Sequence, residues 1–218
     1  MRDTEKRDTE KREAKKRIAE MEIPVLVNAS SPIERYPGEE DLAPVMDSFP
    51  DVLMERTAAE ALKALLEEIG SGDRIVPVSG WRSHREQQKI WDDTIAEKGE
   101  LFTRKYVAVP GCSEHETGLA IDLAENAPEI DFICPEFPRT GICGKFRERA
   151  PHYGFIERYP KGKESVTGIG AEPWHFRYVG LPHSLIMTGL GLVLEEYVGL
   201  IAENTKTAGQ KDGGKQSA

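Results

Sequence analysis

At 218 residues, with 39% hydrophobic and 31% charged side chains, the chain has the size and composition of one soluble globular domain. A net charge of −9 argues against nucleic acid or an anionic membrane surface as the natural partner. No run of about 18 apolar residues occurs and the N-terminus lacks the apolar core of a signal peptide, so no membrane segment and a cytoplasmic location are expected.

The chain opens with Arg2-Asp3-Thr4-Glu5-Lys6 repeated as Arg7-Asp8-Thr9-Glu10-Lys11. Residues 1–22 have no apolar stripe to bury, so they are expected to be a solvated helix or disordered, ahead of a domain over residues 23–203. Within 55–69, Ala58, Leu62, Leu65, Leu66 and Ile69 share one helical stripe, and Gly70 supplies the stop. Arg74 to Val78 reads as a strand, followed by the turn Ser79-Gly80-Trp81-Arg82. Ser83 and Glu86 then have capping-box spacing for a helix that continues through Ile90, Trp91 and Ile95. That cap fixes Arg82 on the turn, and Gln87, on the same helical face as Trp91, points inward. His84, His152 and His183 sit at helix ends and read as surface or capping residues.

Next comes Ser113-Glu114-His115-Glu116-Thr117-Gly118-Leu119-Ala120-Ile121-Asp122. Leu119, Ile121 and Leu123 alternate with Ala120 and Asp122, the pattern of a strand whose Asp122 points away from the core. Residues 125–144, with Pro128, Pro135 and Pro138, are too long for an ordinary connection and read as a lid over the cleft or an irregular structural loop. A short helix over 145–152 ends at Gly154. In Glu172-Pro173-Trp174-His175-Phe176-Arg177-Tyr178 the aromatics alternate with His175 and Arg177, giving a core face and a polar cleft face. Residues 184–202 read as a last helix weakened by Gly189, Gly191 and Gly199, and 204–218 as a disordered tail. The fold class is α+β, a small mostly antiparallel sheet carrying the site with helices packed on the other side.

The chemistry lies in His115, Asp122 and His175. Catalytic zinc keeps about three His or carboxylate ligands and an open position for water, whereas structural zinc is closed mostly by Cys. Water in that open position falls from a pKa of about 15.7 to about 7, and a carboxylate must accept its proton. Glu172 precedes His175 by an odd spacing, which in a flat strand sends the two side chains to opposite faces. Both reach one metal only if the backbone bends, and Pro173 stands where the bend is needed. Arg82 offers a permanently charged planar guanidinium to a developing oxyanion, where preorganised donors contribute about 3 to 4 kcal/mol; taken alone it reads equally as a surface residue. Cys112, Cys134 and Cys143 lack zinc-site spacing and are expected as reduced thiols, with a Cys134–Cys143 disulfide as the alternative.

These runs, together with Ser79-Gly80-Trp81-Arg82-Ser83, Pro110-Gly111-Cys112-Ser113-Glu114-His115, His152-Tyr153-Gly154-Phe155 and Tyr178-Val179-Gly180, stand in the order found in a known family. Over most of residues 23–200 the chain resembles the zinc D-Ala-D-Ala peptidases of glycopeptide (vancomycin) resistance, the VanX, VanY and VanXY group, and is most similar to the VanY and VanXY types. The resemblance implies that His115, Asp122 and His175 bind one catalytic Zn²⁺, that Glu172 is the catalytic base and that Arg82 stabilises the transition state. It further implies that Gln87 and Ser113 hold the substrate's terminal carboxylate or a nearby amide, and that the fold is of the D-Ala-D-Ala peptidase and hedgehog type. The expected substrates are peptidoglycan precursor peptides ending in D-Ala-D-Ala. Ser79 stands where bifunctional relatives often carry Asp, so D,D-carboxypeptidase activity is expected ahead of D,D-dipeptidase activity. The alternatives are an L-Ala-D-Glu cell-wall endopeptidase and a noncatalytic zinc-containing binding domain of the same fold.

Overall fold

The computed structural model describes the backbone of residues 23–212 and the side chains of residues 23–203. The charged repeat and the expectation attached to residues 1–22 lie outside the described residues, as do positions 213–218. Strands β1 (Leu42–Met46) and β2 (Phe49–Glu55) form an antiparallel hairpin. Strands β3 (Ile75–Ser79), β4 (Ala120–Glu125), β5 (Phe155–Tyr159) and β6 (Glu172–Tyr178) form a second sheet in the order β3-β4-β6-β5, antiparallel throughout. Helices α1 (Arg56–Ile69), α2 (His84–Lys98), α3 (Glu100–Tyr106), α4 (Gly141–Arg149), α5 (Glu164–Thr167), α6 (His183–Leu190) and α7 (Leu194–Asp212) complete the expected α+β architecture.

Helix α1 starts where the Glu55 carboxylate accepts the Ala58 N–H and stops where Gly70 turns left-handed at φ 62°. Its stripe of Ala58, Leu62, Leu65 and Ile69 packs with Ile142, Cys143 and Phe146 of α4 against Ile121, Leu123 and Phe176 of the sheet. Phe137, Phe146 and Phe176 meet edge to face with centroids 4.9 to 5.6 Å apart, an arrangement favoured by the ring quadrupoles. This core occupies one face of the larger sheet and leaves the other for the polar groups of β4 and β6.

Several elements differ from expectation. Helix α4 begins at Gly141 rather than 145, because Ile142 and Cys143 already belong to the buried stripe. The last helix is two: Gly191, at φ 65°, closes α6 by donating to Met187 and Thr188, and the chain turns by 104° into α7. Helix α7 runs to Asp212, into the segment expected to be a tail. His183 is buried, not on the surface, with Nδ1 2.8 Å from Tyr197 Oη, a contact that joins α6 to α7. The β1–β2 hairpin was not anticipated, since Pro44 and Pro50 break its alternation. Among the described residues no single helix is long and apolar enough to cross a membrane.

Candidate metal centre

Four backbone devices bring the polar groups together. Asp122 and His175 are direct partners across the β4–β6 ladder. A register shift in β3 between Pro77 and Ser79 sets Ser79 opposite Asp122 and leads into the turn that carries Arg82. His115 lies in a 3₁₀ turn, Glu114–Thr117, closed by Gly118 at φ 74°. In β6 the pairing jumps from Phe176↔Glu157 to Glu172↔Tyr159, so Pro173, Trp174 and His175 bulge opposite Arg158 alone. This is the bend that the spacing demanded, and Glu172 and His175 consequently line the same cleft, with Oε2 3.7 Å from Nδ1.

The ligand-type atoms of His115, Asp122 and His175 lie within 4.8 Å of one another, and all three residues are buried. His115 Nδ1 is 2.7 Å from the Gly80 carbonyl oxygen, so it donates there and leaves Nε2 facing Asp122 Oδ2 at 3.1 Å. His175 presents Nδ1 to Asp122 Oδ1 at 3.0 Å. Two imidazoles and one carboxylate converging on a cleft, with no thiolate among them, fit a zinc ion that keeps an open position. Gly80 is required here: a Cβ on it would fall 2.2 Å from the Leu53 carbonyl oxygen, which already accepts the Trp81 N–H at 2.6 Å.

Arg82 lines the cleft and spends its three nitrogens on Ser79 Oγ (2.9 Å), Gln87 Oε1 (3.0 Å) and Asp122 Oδ2 (3.1 Å). Gln87 is fully buried as expected but does not line the cleft, because its Nε2 donates to the Ala108 carbonyl at 2.8 Å while its Oε1 receives Arg82. In this arrangement Gln87 holds Arg82 from outside the cleft wall, so its contribution to the cleft runs through Arg82. Ser113 does line the cleft, and its hydroxyl has no hydrogen-bond partner among the described residues. From the long loop, Phe132 and Ile133 reach the cleft wall. Tyr159 joins them, its ring 4.9 Å from that of His175.

A buried charged cluster beside the site, whose Glu114 also lines the cleft, is not apparent from the sequence. Glu114, Arg158 and Arg177 have fully buried side chains, and Glu114 Oε1 lies 2.7 Å from Arg158 Nε and 2.9 Å from Arg177 Nη1. The one available signal was Arg177 on the polar side of the β6 alternation; nothing in the spacing tied it to Glu114.

The protein groups alone set a graded protonation pattern. Burial, then the Arg82 cation, pushes His115 down to about 4. For His175 burial works downward, but hydrogen bonds to Asp122 and Glu114 and the charges of Asp122 and Glu172 outweigh it and raise the ring to about 9. Burial, reinforced by the Asp122 charge, lifts Glu172 to about 8. Asp122 and Glu114 are held well below the usual carboxylate range against the opposing effect of burial, Asp122 by the two histidines and Glu114 chiefly by Arg158 and Arg177.

Comparison with known proteins gives a consistent result. Residues 51–181 match the VanY family, D-alanyl-D-alanine carboxypeptidase. The chain is 39% identical over 184 residues to the bifunctional D-Ala-D-Ala dipeptidase and D-Ala-D-Ala carboxypeptidase VanXYC of Enterococcus gallinarum, covering 83% of this chain and 96% of that protein. Among solved structures it is similar to the vancomycin-resistance D,D-dipeptidase VanXYg in complex with a D-Ala-D-Ala phosphinate analog, at 52% identity and TM-score 0.79 over 81% of this chain and 70% of that one. It also resembles a variant of the D,D-pentapeptidase VanY from a VanB-type resistance cassette, in complex with Zn(II), at 31% identity and TM-score 0.63 over 80% of this chain and 97% of that one.

Proposed function

This chain belongs to the VanY family of D-alanyl-D-alanine carboxypeptidases, and from that premise we propose that it is a zinc D,D-peptidase releasing the terminal D-alanine of peptidoglycan precursor peptides ending in D-Ala-D-Ala. Hydrolysis of free D-Ala-D-Ala is its second activity, and the chemistry is that of vancomycin-type resistance. The observation that carries this reading is the convergence of His115, Asp122 and His175 with Glu172 and Arg82 in one cleft.

His115, Asp122 and His175 hold the Zn²⁺ ion, which supplies Lewis acidity to the scissile carbonyl and acidity to a water molecule. Glu172 takes the proton of the attacking water and returns it to the departing amine nitrogen. Arg82, restrained at all three nitrogens, directs its charge at the oxygen that becomes an oxyanion. The free hydroxyl of Ser113 is available to the substrate's carboxylate or amide. No side chain in the cleft is asked to act as a nucleophile, so hydrolysis proceeds without an acyl-enzyme.

Residues 23–203 are taken as the catalytic domain, flanked by the charged segment 1–22 and by residues 204–218, into which helix α7 continues as far as Asp212. Cys112, Cys134 and Cys143 are free thiols, which supports a cytoplasmic enzyme acting on precursors before export. A dipeptidase-first reading is favoured by the 52% identity to a D,D-dipeptidase. Against it, Ser79 stands where the resemblance to bifunctional relatives leads one to expect Asp, and its hydroxyl is already engaged by Arg82.

The test is D-alanine release from a UDP-muramyl pentapeptide ending in D-Ala-D-Ala and from D-Ala-D-Ala itself, each with and without a zinc chelator. Chelator-sensitive release, faster from the pentapeptide, is expected. Release from neither substrate with zinc bound would replace the enzyme by a binding domain.

A further inference from the structure

The Glu114 carboxylate belongs to the residue next to His115, yet it turns to the far edge of the other histidine. Its Oε2 lies 3.4 Å from His175 Nε2, and that nitrogen has no other hydrogen-bond partner among the described residues. The opposite ring nitrogen, Nδ1, faces the cleft, 3.0 Å from Asp122 Oδ1 and 3.7 Å from Glu172 Oε2. His175 is thus gripped from behind by one carboxylate while its front edge is left to the ligand cluster.

Glu114 is itself immobilised. Its Oε1 accepts from Arg158 Nε at 2.7 Å, and Arg177 Nη1 stands 2.9 Å away as an ion pair whose hydrogen is not aligned for a bond. Arg158 continues to Glu195 on α7 through two parallel bonds of 2.8 and 2.6 Å, and Arg177 Nη2 donates to the Val25 carbonyl at 2.8 Å. Taking so many charges out of water costs several kcal/mol per ion, so a buried ion cluster is a poor device for stability alone. What the cluster achieves geometrically is to use up Oε1 and leave Oε2 for the imidazole.

We propose that Glu114 is the positioning carboxylate of His175: it accepts the Nε2–H, which fixes the tautomer whose Nδ1 lone pair enters the metal position, and Arg158 and Arg177 lock it in place. This rests on His175 being a zinc ligand. The two histidines are then held from opposite ring edges by acceptors of different strength, His115 by the neutral Gly80 carbonyl and His175 by an anion. A carboxylate partner makes a ligating imidazole the better donor, and losing such a partner weakens metal binding by about 10- to 100-fold.

The test combines zinc affinity, read by competition with a chromophoric chelator, with ¹⁵N–¹H two-bond correlation spectra of the individually assigned histidines. In the wild-type chain zinc should bind His175 at Nδ1 with its Nε2–H retained, and His115 at Nε2. Glu114→Gln should lower zinc affinity by about 10- to 100-fold with the melting transition still cooperative. A folded Glu114→Gln protein with wild-type affinity would overturn the proposal, and so would His175 ligation through Nε2. Should Glu114→Gln not fold, Glu195→Gln, which loosens Arg158 from α7 without touching a ligand, is expected to lower zinc affinity by a smaller factor, and unchanged affinity there would count against the proposal. If zinc perturbs neither histidine in the wild-type chain, the ligand assignment itself fails, an outcome distinct from the others.

Discussion

Arg82 Nη2 and Asp122 Oδ2 are 3.1 Å apart, and the same oxygen lies 3.1 Å from His115 Nε2. The guanidinium is therefore tied to a proposed zinc ligand before any substrate arrives, and preorganised donors in a cleft of this kind act without reorganising at the moment of reaction. Arg82→Lys keeps the charge but cannot span Ser79, Gln87 and Asp122 at once. It is expected to lower kcat by about 10²- to 10³-fold with KM nearly unchanged and zinc content at one per chain. Steady-state kinetics with metal analysis of the variant checks this; a loss confined to KM would mean that Arg82 binds ground-state substrate instead.

Glu172 is nearly fully buried and 3.7 Å from a nitrogen of the proposed ligand cluster, a distance that sets it beside the proposed metal position without requiring it as a ligand. Glu172→Gln retains size and polarity but cannot accept a proton. Turnover should fall by about 10²- to 10⁴-fold while zinc remains bound. Wild-type turnover in a zinc-loaded Glu172→Gln protein would remove Glu172 from the reaction.

Much of this site could be read from residue order, because its signals are local. The capping box at Ser83 and Glu86 and the odd spacing of Glu172 and His175 follow from nearest-neighbour geometry, and the structure contains the cap and the bulge at Pro173. The alternation through β6 holds for Phe176 in the core and His175 in the cleft, but Trp174 also lines the cleft and Arg177 is buried against Glu114 instead of facing the cleft. The support of the site was not legible, since it depends on pairings between distant segments. Glu114 meets Arg158 and Arg177 only because β5, β6 and the 3₁₀ turn converge, and a charged residue in a strand reads as solvent-facing until its partner is known. The β1–β2 hairpin was equally silent, yet Leu53 and Glu55 of β2 bond to the backbones of Trp81 and Gly118 and so hold the two turns that carry Arg82 and His115. The split between α6 and α7 turned on which of three glycines would go left-handed, and Gly191 does so while Gly189 and Gly199 do not.

Zinc uptake should release protons and strengthen with pH. His175 is raised from 6.5 to about 9 and Glu172 from 4.5 to about 8, so near pH 7 both carry protons that a bound dication would expel, whereas His115, lowered to about 4, is already neutral. The stability of the zinc-stripped chain follows from the same shifts. A group whose pKa is raised on folding stabilises fully below its unfolded value and loses that contribution as pH rises through the folded value. Above pH 6.5 His115 no longer contributes a slope, so the stripped protein should lose stability steadily from pH 6.5 to 9. Thermal melts with chelator across that range, and proton release measured with an indicator dye on zinc addition, check both statements; a stripped protein that gains stability with pH would contradict them.

The loop between β4 and α4 offers a handle on substrate length. Phe137 anchors it in the core, while Phe132, 55% exposed, and Ile133 reach the cleft wall. A ring that is half exposed at a cleft mouth contributes little to folding, so Phe132→Ala should leave the melting temperature within a degree or two of wild type, roughly the effect of a surface substitution. What the ring can bury is the part of a peptide substrate lying ahead of the D-Ala-D-Ala terminus. A free dipeptide has no such part. Phe132→Ala should therefore raise KM for the pentapeptide, by roughly 10-fold if about 1.4 kcal/mol of contact is lost, and leave kcat and the dipeptide kinetics almost unaltered. Equal effects on the two substrates would show that the loop shapes the catalytic end of the cleft instead of reading the peptide that enters it.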